Sequence, residues 1–311
     1  MLTAVMLWNE PNNLSHWDYS IDPQWATYAL MCRWATEAVR REAEDVTVVL
    51  GGIAPIDPNF VGLVMGRHGL EAVLDVVAIH GFPFDWHLWQ VEEWPARVAE
   101  IKAVTGRPIW ATEVGVSSFG CEEVQALGLR KTVQLLPPLV DQVFWYSLFD
   151  LRQDRPAETR HKEAEGSSYY RHFHFGLLTA GGTPKLALRH FPPDLGICQW
   201  LHLHDREQAQ ATATWLRRLG VRAVRTGVSW ADWHAPGAVE FYDFVMRVLA
   251  PFEVTLTLCF TPPAGASAPT TPAPRSIRGS SPTSAPRWCA ATASSLPYGA
   301  AGRCQGSRKR R

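Results

Sequence analysis

Runs of apolar residues alternate along this chain with longer stretches in which apolar positions recur every three or four residues. TAVMLWN (3–9), VTVVLGG (46–52), LDVVAIHGF (74–82), RPIWATEVG (107–115), DQVFWYSLFD (141–150), LGICQWLHL (195–203), VRAVRTGVSW (221–230) and FEVTLTLCF (252–260) read as buried strands. Between them, residues 23–43, 58–70, 89–105, 121–135, 206–219 and 238–249 carry the helical spacing, with Trp25, Ala29, Cys32 and Val39 on one side of the first. A polar loop of about 25 residues follows the fifth strand. FGLLTAGGTPKLAL (175–188) then reads as a hairpin turning into a short helix. Strands that are apolar throughout, separated by helices, predict a parallel sheet covered on both faces. Eight such units predict a (β/α)8 barrel. A doubly wound open sheet is the alternative, but no G-x-G-x-x-G follows any strand.

The pattern stops abruptly after CFTPP. Residues 264–311 contain no Asp or Glu and are dominated by Ala, Ser, Pro, Thr, Arg and Gly. Such a segment cannot bury a core and is expected to be disordered. Its composition is also that expected of GC-rich DNA translated in a shifted frame.

Composition narrows the function classes. The 30 basic and 30 acidic residues cancel, so nucleic acid and membrane surfaces are poor partners for the main body. No run of 18 apolar residues offers a membrane span. The start MLTAVMLWNEP lacks the charged region and cleavage site of a signal peptide. The six cysteines are scattered, with no C-x-x-C pair, which fits reduced thiols and a cytoplasmic setting. The 14 tryptophans are many; most belong in a large core, and some suit a cleft that stacks on flat apolar faces. His161, His172 and His174 have metal-like spacing, but H-x-H without further ligands is no site.

Two glutamates stand out. Glu10, in LWNEPNN, and Glu113, in PIWATEVG, each close a predicted strand and lie 103 residues apart. In a (β/α)8 barrel the chemistry gathers at the C-terminal ends of strands, and strands three apart face each other across the mouth. Two carboxyl groups so placed suit cleavage of a glycosidic bond, one serving as acid and the other as nucleophile. A salt bridge or helix cap is the ordinary reading of either glutamate alone.

WNEPN followed by PIWATEVG resembles the retaining glycoside hydrolases of clan A, and most nearly the xylosidase-like proteins of family thirty-nine type. The resemblance implies a (β/α)8 barrel with Glu10 as acid/base, Glu113 as nucleophile and no metal or cofactor. It implies that Asn9 bonds the sugar 2-hydroxyl, that His80 lies in the cleft and that Trp145 floors the sugar site. Several of these families carry His-x-Tyr where this chain has His80 and Phe82, so the tyrosine contact to the nucleophile must be absent or come from elsewhere. Arg225 matches an arginine that keeps the nucleophile ionised, and Trp230 and Trp233 would rim the substrate cleft.

The same resemblance places strands in an unusual order: four to eight in residues 1–191, then one to three in 195–263. A circular permutant is expected from this, or the back of one barrel joined to the front of a second whose gene is truncated. Besides a carbohydrate-cleaving enzyme, a non-catalytic carbohydrate-binding barrel and an inactive fragment remain open. A fragment should expose an unpaired strand edge where the last strand fails to meet the first.

Overall fold

A parallel strand that is apolar on both faces needs a partner on each edge and cover on each side. The computed structural model describes residues 1–153 and 170–260 and meets that need by closing the sheet on itself. Eight strands form one closed barrel in chain order. They are β1 (Leu2–Leu7), β2 (Thr47–Ile53), β3 (Val76–Gly81), β4 (Ile109–Val114), β5 (Gln142–Tyr146), β6 (Gly196–Cys198), β7 (Ala223–Ser229) and β8 (Glu253–Cys259). All pairings are parallel. The seam is well made: β8 pairs with β1 from Leu2 opposite Val254 to Leu7 opposite Leu258. The unpaired edge expected of a broken barrel is therefore not there. The segment 264–311 and His161 lie outside the described residues.

The longer helices are α1 (Ala26–Glu42), α2 (Trp94–Lys102), α3 (Glu122–Leu135), α4 (Arg206–Leu219) and α5 (Ala238–Leu249). α4 starts where Asp205 accepts from the Gln208 amide and stops at Gly220, whose φ of 71° suits glycine. α5 buries Ala238, Phe241, Tyr242, Val245 and Leu249, a single helical stripe. The helix expected over 58–70 is broken instead into an α-turn (Pro58–Val61), a π-turn (Gly62–Arg67) and a 3-10 turn (Leu70–Ala72). Gly62, Gly66 and Gly69 lie in that stretch, and glycine is a poor helix former. The helix expected near residue 188 is a 3-10 turn, Leu186–His190. No helix among the described residues is long and apolar enough to cross a membrane.

Strand alternation sorts side chains between two layers. Val5, Leu7, Val48, Leu50, Val77 and Ile79 point outward into the large core shared with the helices. Ala4, Met6, Val49, Val76 and Ala78 point inward and pack with Trp110. Phe144, Cys198 and Ala223 fill the other half of the interior with Trp110 and Tyr146. This inner floor supports a polar layer at the C-terminal mouth.

The same alternation corrects the expectation for Trp145. On β5 the inward residues are Phe144 and Tyr146. Trp145 lies between them, fully buried in the outer core, and cannot floor a cleft.

Candidate functional site

The polar layer at the mouth is built by backbone irregularities as much as by side chains. β1 ends at Leu7, and the chain then turns through two left-handed residues, Trp8 (φ 73°) and Glu10 (φ 44°). Non-glycine residues rarely adopt that conformation, and it is held here by contacts on both sides. The Trp8 amide donates to the Leu258 carbonyl at 2.9 Å, and its indole donates to the His16 carbonyl at 2.9 Å. Asn12 ties the next turn to the β2 loop through the Pro55 carbonyl and the Ala54 amide. Asn13 accepts from the Ser15 amide and hydroxyl through Oδ1, so its Nδ2 faces Glu10 and donates to Oε2 at 3.1 Å. His16 Nδ1 lies 3.6 Å from the same oxygen.

Glu113 reaches the mouth through a β-bulge. Ala111 pairs with Ile79 and Glu113 with His80, so Thr112 is an extra residue on β4. Trp110 points inward and Ala111 outward, and regular alternation from there would send Glu113 outward. The bulge turns both Thr112 and Glu113 inward. Thr112 Oγ1 lies 3.0 Å from His80 Nε2, and Glu113 meets Arg225.

His80, wholly buried on β3, lies between the two glutamates. Its Nδ1 is 2.9 Å from Glu10 Oε1 and 3.8 Å from Glu113 Oε2. Gly52 makes room for it: a Cβ there would lie 1.9 Å from His80 Nε2. Arg225, on β7, is 3% exposed and spends its donors inside the barrel. Nη1 pairs with Glu113 Oε1, Nη2 donates to Asn9 Oδ1 at 2.8 Å and Nε donates to Thr257 Oγ1 at 3.0 Å. Because arginine only donates, Asn9 must present its oxygen to it, which leaves the Asn9 amide hydrogens for other partners.

These surroundings push the two carboxyls apart. Burial raises Glu10 to about 7; His16 opposes this, the charge of Glu113 adds to it, and Asn13 and Arg225 oppose it. Burial also acts upward on Glu113, but His80 and Arg225 outweigh it and hold that carboxyl below its ordinary range. Burial lowers His80 to about 4, so at neutral pH the standing positive charge on Glu113 is Arg225. One buried acid thus keeps its proton near neutrality while its neighbour stays ionised, the division of labour an acid–nucleophile pair needs.

Glu10, His80 and Glu113 offer ligand atoms within 4.8 Å of one another. A metal ion bound there would have to sit beside the Arg225 guanidinium on Glu113, which opposes a second positive charge.

Five of the residues singled out from the sequence therefore come together: Asn9, Glu10, His80, Glu113 and Arg225. Trp230 opens a helical turn, Trp230–Trp233, at the end of β7 and is partly buried. Trp233 stacks on Tyr242, with ring centroids 5.8 Å apart. His172 meets Trp86 in a tilted contact with ring centroids 5.1 Å apart and His174 lies 4.0 Å from Asp150; neither belongs to a potential metal cluster among the described residues. Sequence reasoning missed Thr112, Asn13, His16, Thr257 and above all Tyr146. Burial, reinforced by the nearby charge of Glu113, raises the Tyr146 hydroxyl well above its ordinary range, so it stays a phenol. Phe82 packs edge-on against that ring at 5.7 Å. Tyr146 thus lies on β5, the strand next to that of Glu113, and feels its charge. Strand parity was the available signal: Tyr146, two residues from Phe144, shares its inward face.

No family model matches the chain, and no curated protein does. Solved structures similar to it include a GH2 β-galacturonidase from Eisenbergiella tayi bound to glycerol, at 17% identity over 59% of this chain and 31% of that one, TM-score 0.40. A GH128 endo-β-1,3-glucanase from Sorangium cellulosum is 18% identical over 60% of this chain and 68% of that one, TM-score 0.42. A GH53 catalytic domain from Ignisphaera aggregans is 16% identical over 59% of this chain and 56% of that one, TM-score 0.44. The chain spans about a third of the length of the β-galacturonidase and just over half that of the GH53 domain.

Proposed function

We propose that this chain is an O-glycoside hydrolase that cleaves by double displacement with retention of configuration. The observation that carries the reading is the spacing of Glu10 and Glu113, whose facing carboxyl oxygens come within 4.8 Å. Retaining glycosidases hold their carboxyls about 5–5.5 Å apart, whereas inverting ones need roughly 6.5–9.5 Å to admit a water. One oxygen of each carboxyl within 4.8 Å of the other favours the shorter, retaining spacing.

In the first step ionised Glu113 attacks the anomeric carbon while Glu10 gives its proton to the departing oxygen. A glycosyl ester on Glu113 results. In the second, Glu10, now a carboxylate, takes a proton from water; that water attacks the anomeric carbon and Glu113 leaves. Arg225 holds Glu113 ionised and in place. Asn9, its oxygen engaged by Arg225, has an amide donor for the sugar 2-hydroxyl, a contact that strengthens in the transition state. His80 and Asn13 fix the two oxygens of Glu10. No metal or cofactor enters these steps. The sequence resemblance to the xylosidase-like type, read as strands four to eight preceding strands one to three, is the finer form of this proposal.

The reading is tested by the anomeric form of the first product. Proton NMR during hydrolysis of aryl β-glycosides should show the β-sugar forming before mutarotation; prompt appearance of the α-sugar would overturn double displacement. The pH profile is a separate check. Glu10 must be protonated to act as acid, and its carboxyl titrates at about 7. kcat/KM should therefore fall about tenfold per pH unit above that point. The limb should disappear in Glu10→Gln, and its persistence there would assign it to another group.

A further inference from the structure

An open cleft runs between the ends of β5 and β6 and the start of α4, with Tyr146 of the inner face in its lining. One wall is Trp200, partly exposed. Its six-membered ring packs against Gly227, where an added Cβ would sit 1.9 Å from the indole, and it meets Phe260 in a T-shaped contact with centroids 5.3 Å apart. Gln199 clamps it from below, accepting from the Phe149 amide and donating to the Trp200 carbonyl at 3.1 Å. Tyr146 and His172 also line the cleft. From α4, Gln208 lines the cleft with a buried Oε1 that has no hydrogen-bond partner. A buried, unpaired amide oxygen is costly unless a ligand hydroxyl answers it.

The lining carries little unbalanced charge. Asp150 is paired with Lys185 at 2.7 Å, Asp205 caps α4, and Arg152 has a partner of its own. Burial lowers His172 to about 4, so it is neutral at physiological pH. A flat aromatic platform with hydroxyl-directed acceptors and no free cation fits an uncharged sugar ring better than a uronic acid.

Register places the ring relative to the chemistry. Gly227 lies two residues beyond Arg225 on the same inward face of β7, roughly 7 Å further toward the mouth. That is about the length of one pyranose unit. We infer that the Trp200 cleft is a subsite for a neutral sugar adjoining the unit whose bond is cleaved, so the preferred substrate is a neutral oligosaccharide. The inference rests on the proposed glycosidase reading and names its substrate class.

Binding tests it apart from turnover. Glu10→Gln keeps the size and hydrogen bonding of the protonated acid while removing catalysis. Cellobiose, xylobiose, laminaribiose and mannobiose would be titrated into it calorimetrically, with digalacturonate as the charged counterpart. At least one neutral disaccharide should bind more tightly than digalacturonate and than its own monosaccharide. Trp200→Ala in that background should weaken it on the order of tenfold, and Trp200→Phe should restore most of the loss. Gln208→Leu, on the partly exposed start of α4, should weaken binding several-fold even if Trp200→Ala does not fold. Preference for digalacturonate, no neutral binding, or equal affinity across these variants would overturn the subsite. Hydrolysis of aryl monosaccharides with no disaccharide binding would sink the subsite alone. Disaccharide binding without wild-type hydrolysis of any glycoside would sink the glycosidase reading instead.

Discussion

Replacing Glu113 by alanine is expected to lower kcat on aryl β-glycosides by roughly 10⁴-fold or more, the scale of loss seen when a nucleophile is removed. The substitution leaves a small space beside the anomeric carbon and an uncompensated Arg225 guanidinium. Azide, a small anion, suits both. It should restore turnover by attacking the anomeric carbon from the face that Glu113 used, expelling the aryl oxide and giving the glycosyl azide of inverted configuration. Glu10 reports on the same change, because the charge of Glu113 helps hold its proton. Without that charge its pKa should fall, so the basic limb of the azide-rescued reaction should move below the wild-type position. Activity unchanged by Glu113→Ala would place the nucleophile elsewhere. Loss without azide rescue, in a variant that melts like the wild type, would leave a binding barrel as the better account.

Arg225→Met is expected to reduce stability at neutral pH by about 3–5 kcal/mol, because it strands a buried carboxylate without its cation. For a chain of this size that corresponds to a fall in Tm of roughly 6–20 °C. The methionine keeps most of the stem volume, so the loss should be electrostatic and therefore pH-dependent. In the wild type the Glu113 pKa is depressed. Its stabilisation is present above the unfolded carboxylate pKa and is lost as pH falls through the folded value. In the variant, burial beside Glu10 raises Glu113 instead, so stability is lost as pH rises through that raised value. The Tm gap between the two proteins should therefore be widest near pH 8 and narrow below about pH 4.5. Melting curves across that range provide the test; a gap of the same size at pH 4 and pH 8 would mean the arginine acts by packing alone. Activity should fall too, since a protonated Glu113 is no nucleophile.

The chain's own pattern determined the eight strands and most of the helices, because burial on both faces demands unbroken apolar runs and amphipathic helices demand a periodic stripe. WNEP and WATE, each at a strand end, also marked Glu10 and Glu113, since in a parallel barrel the strand ends converge on one mouth. What the sequence left undecided depends on contacts between distant segments. Trp145 and Tyr146 are adjacent aromatic residues of one strand, and only strand pairing decides which of them faces the barrel interior. Glu113 points inward because β4 carries an extra residue opposite β3, a matter of register that β4 alone does not encode. His80 fits between the glutamates because Gly52, on a neighbouring strand, has no side chain. The stretch 58–70 holds Gly62, Gly66 and Gly69, where local helix preference is weak, and it folds as short turns of different kinds instead of one helix. Closure itself is tertiary: β8 meets β1 across more than 250 residues of chain, and that seam brings Asn9 and Glu10 into reach of Arg225 and Glu113. Local residue types specified the strands, the helices and the candidate carboxyls; the relative placement of strands, which no short segment fixes by itself, decided that one oxygen of each carboxyl comes within 4.8 Å of the other.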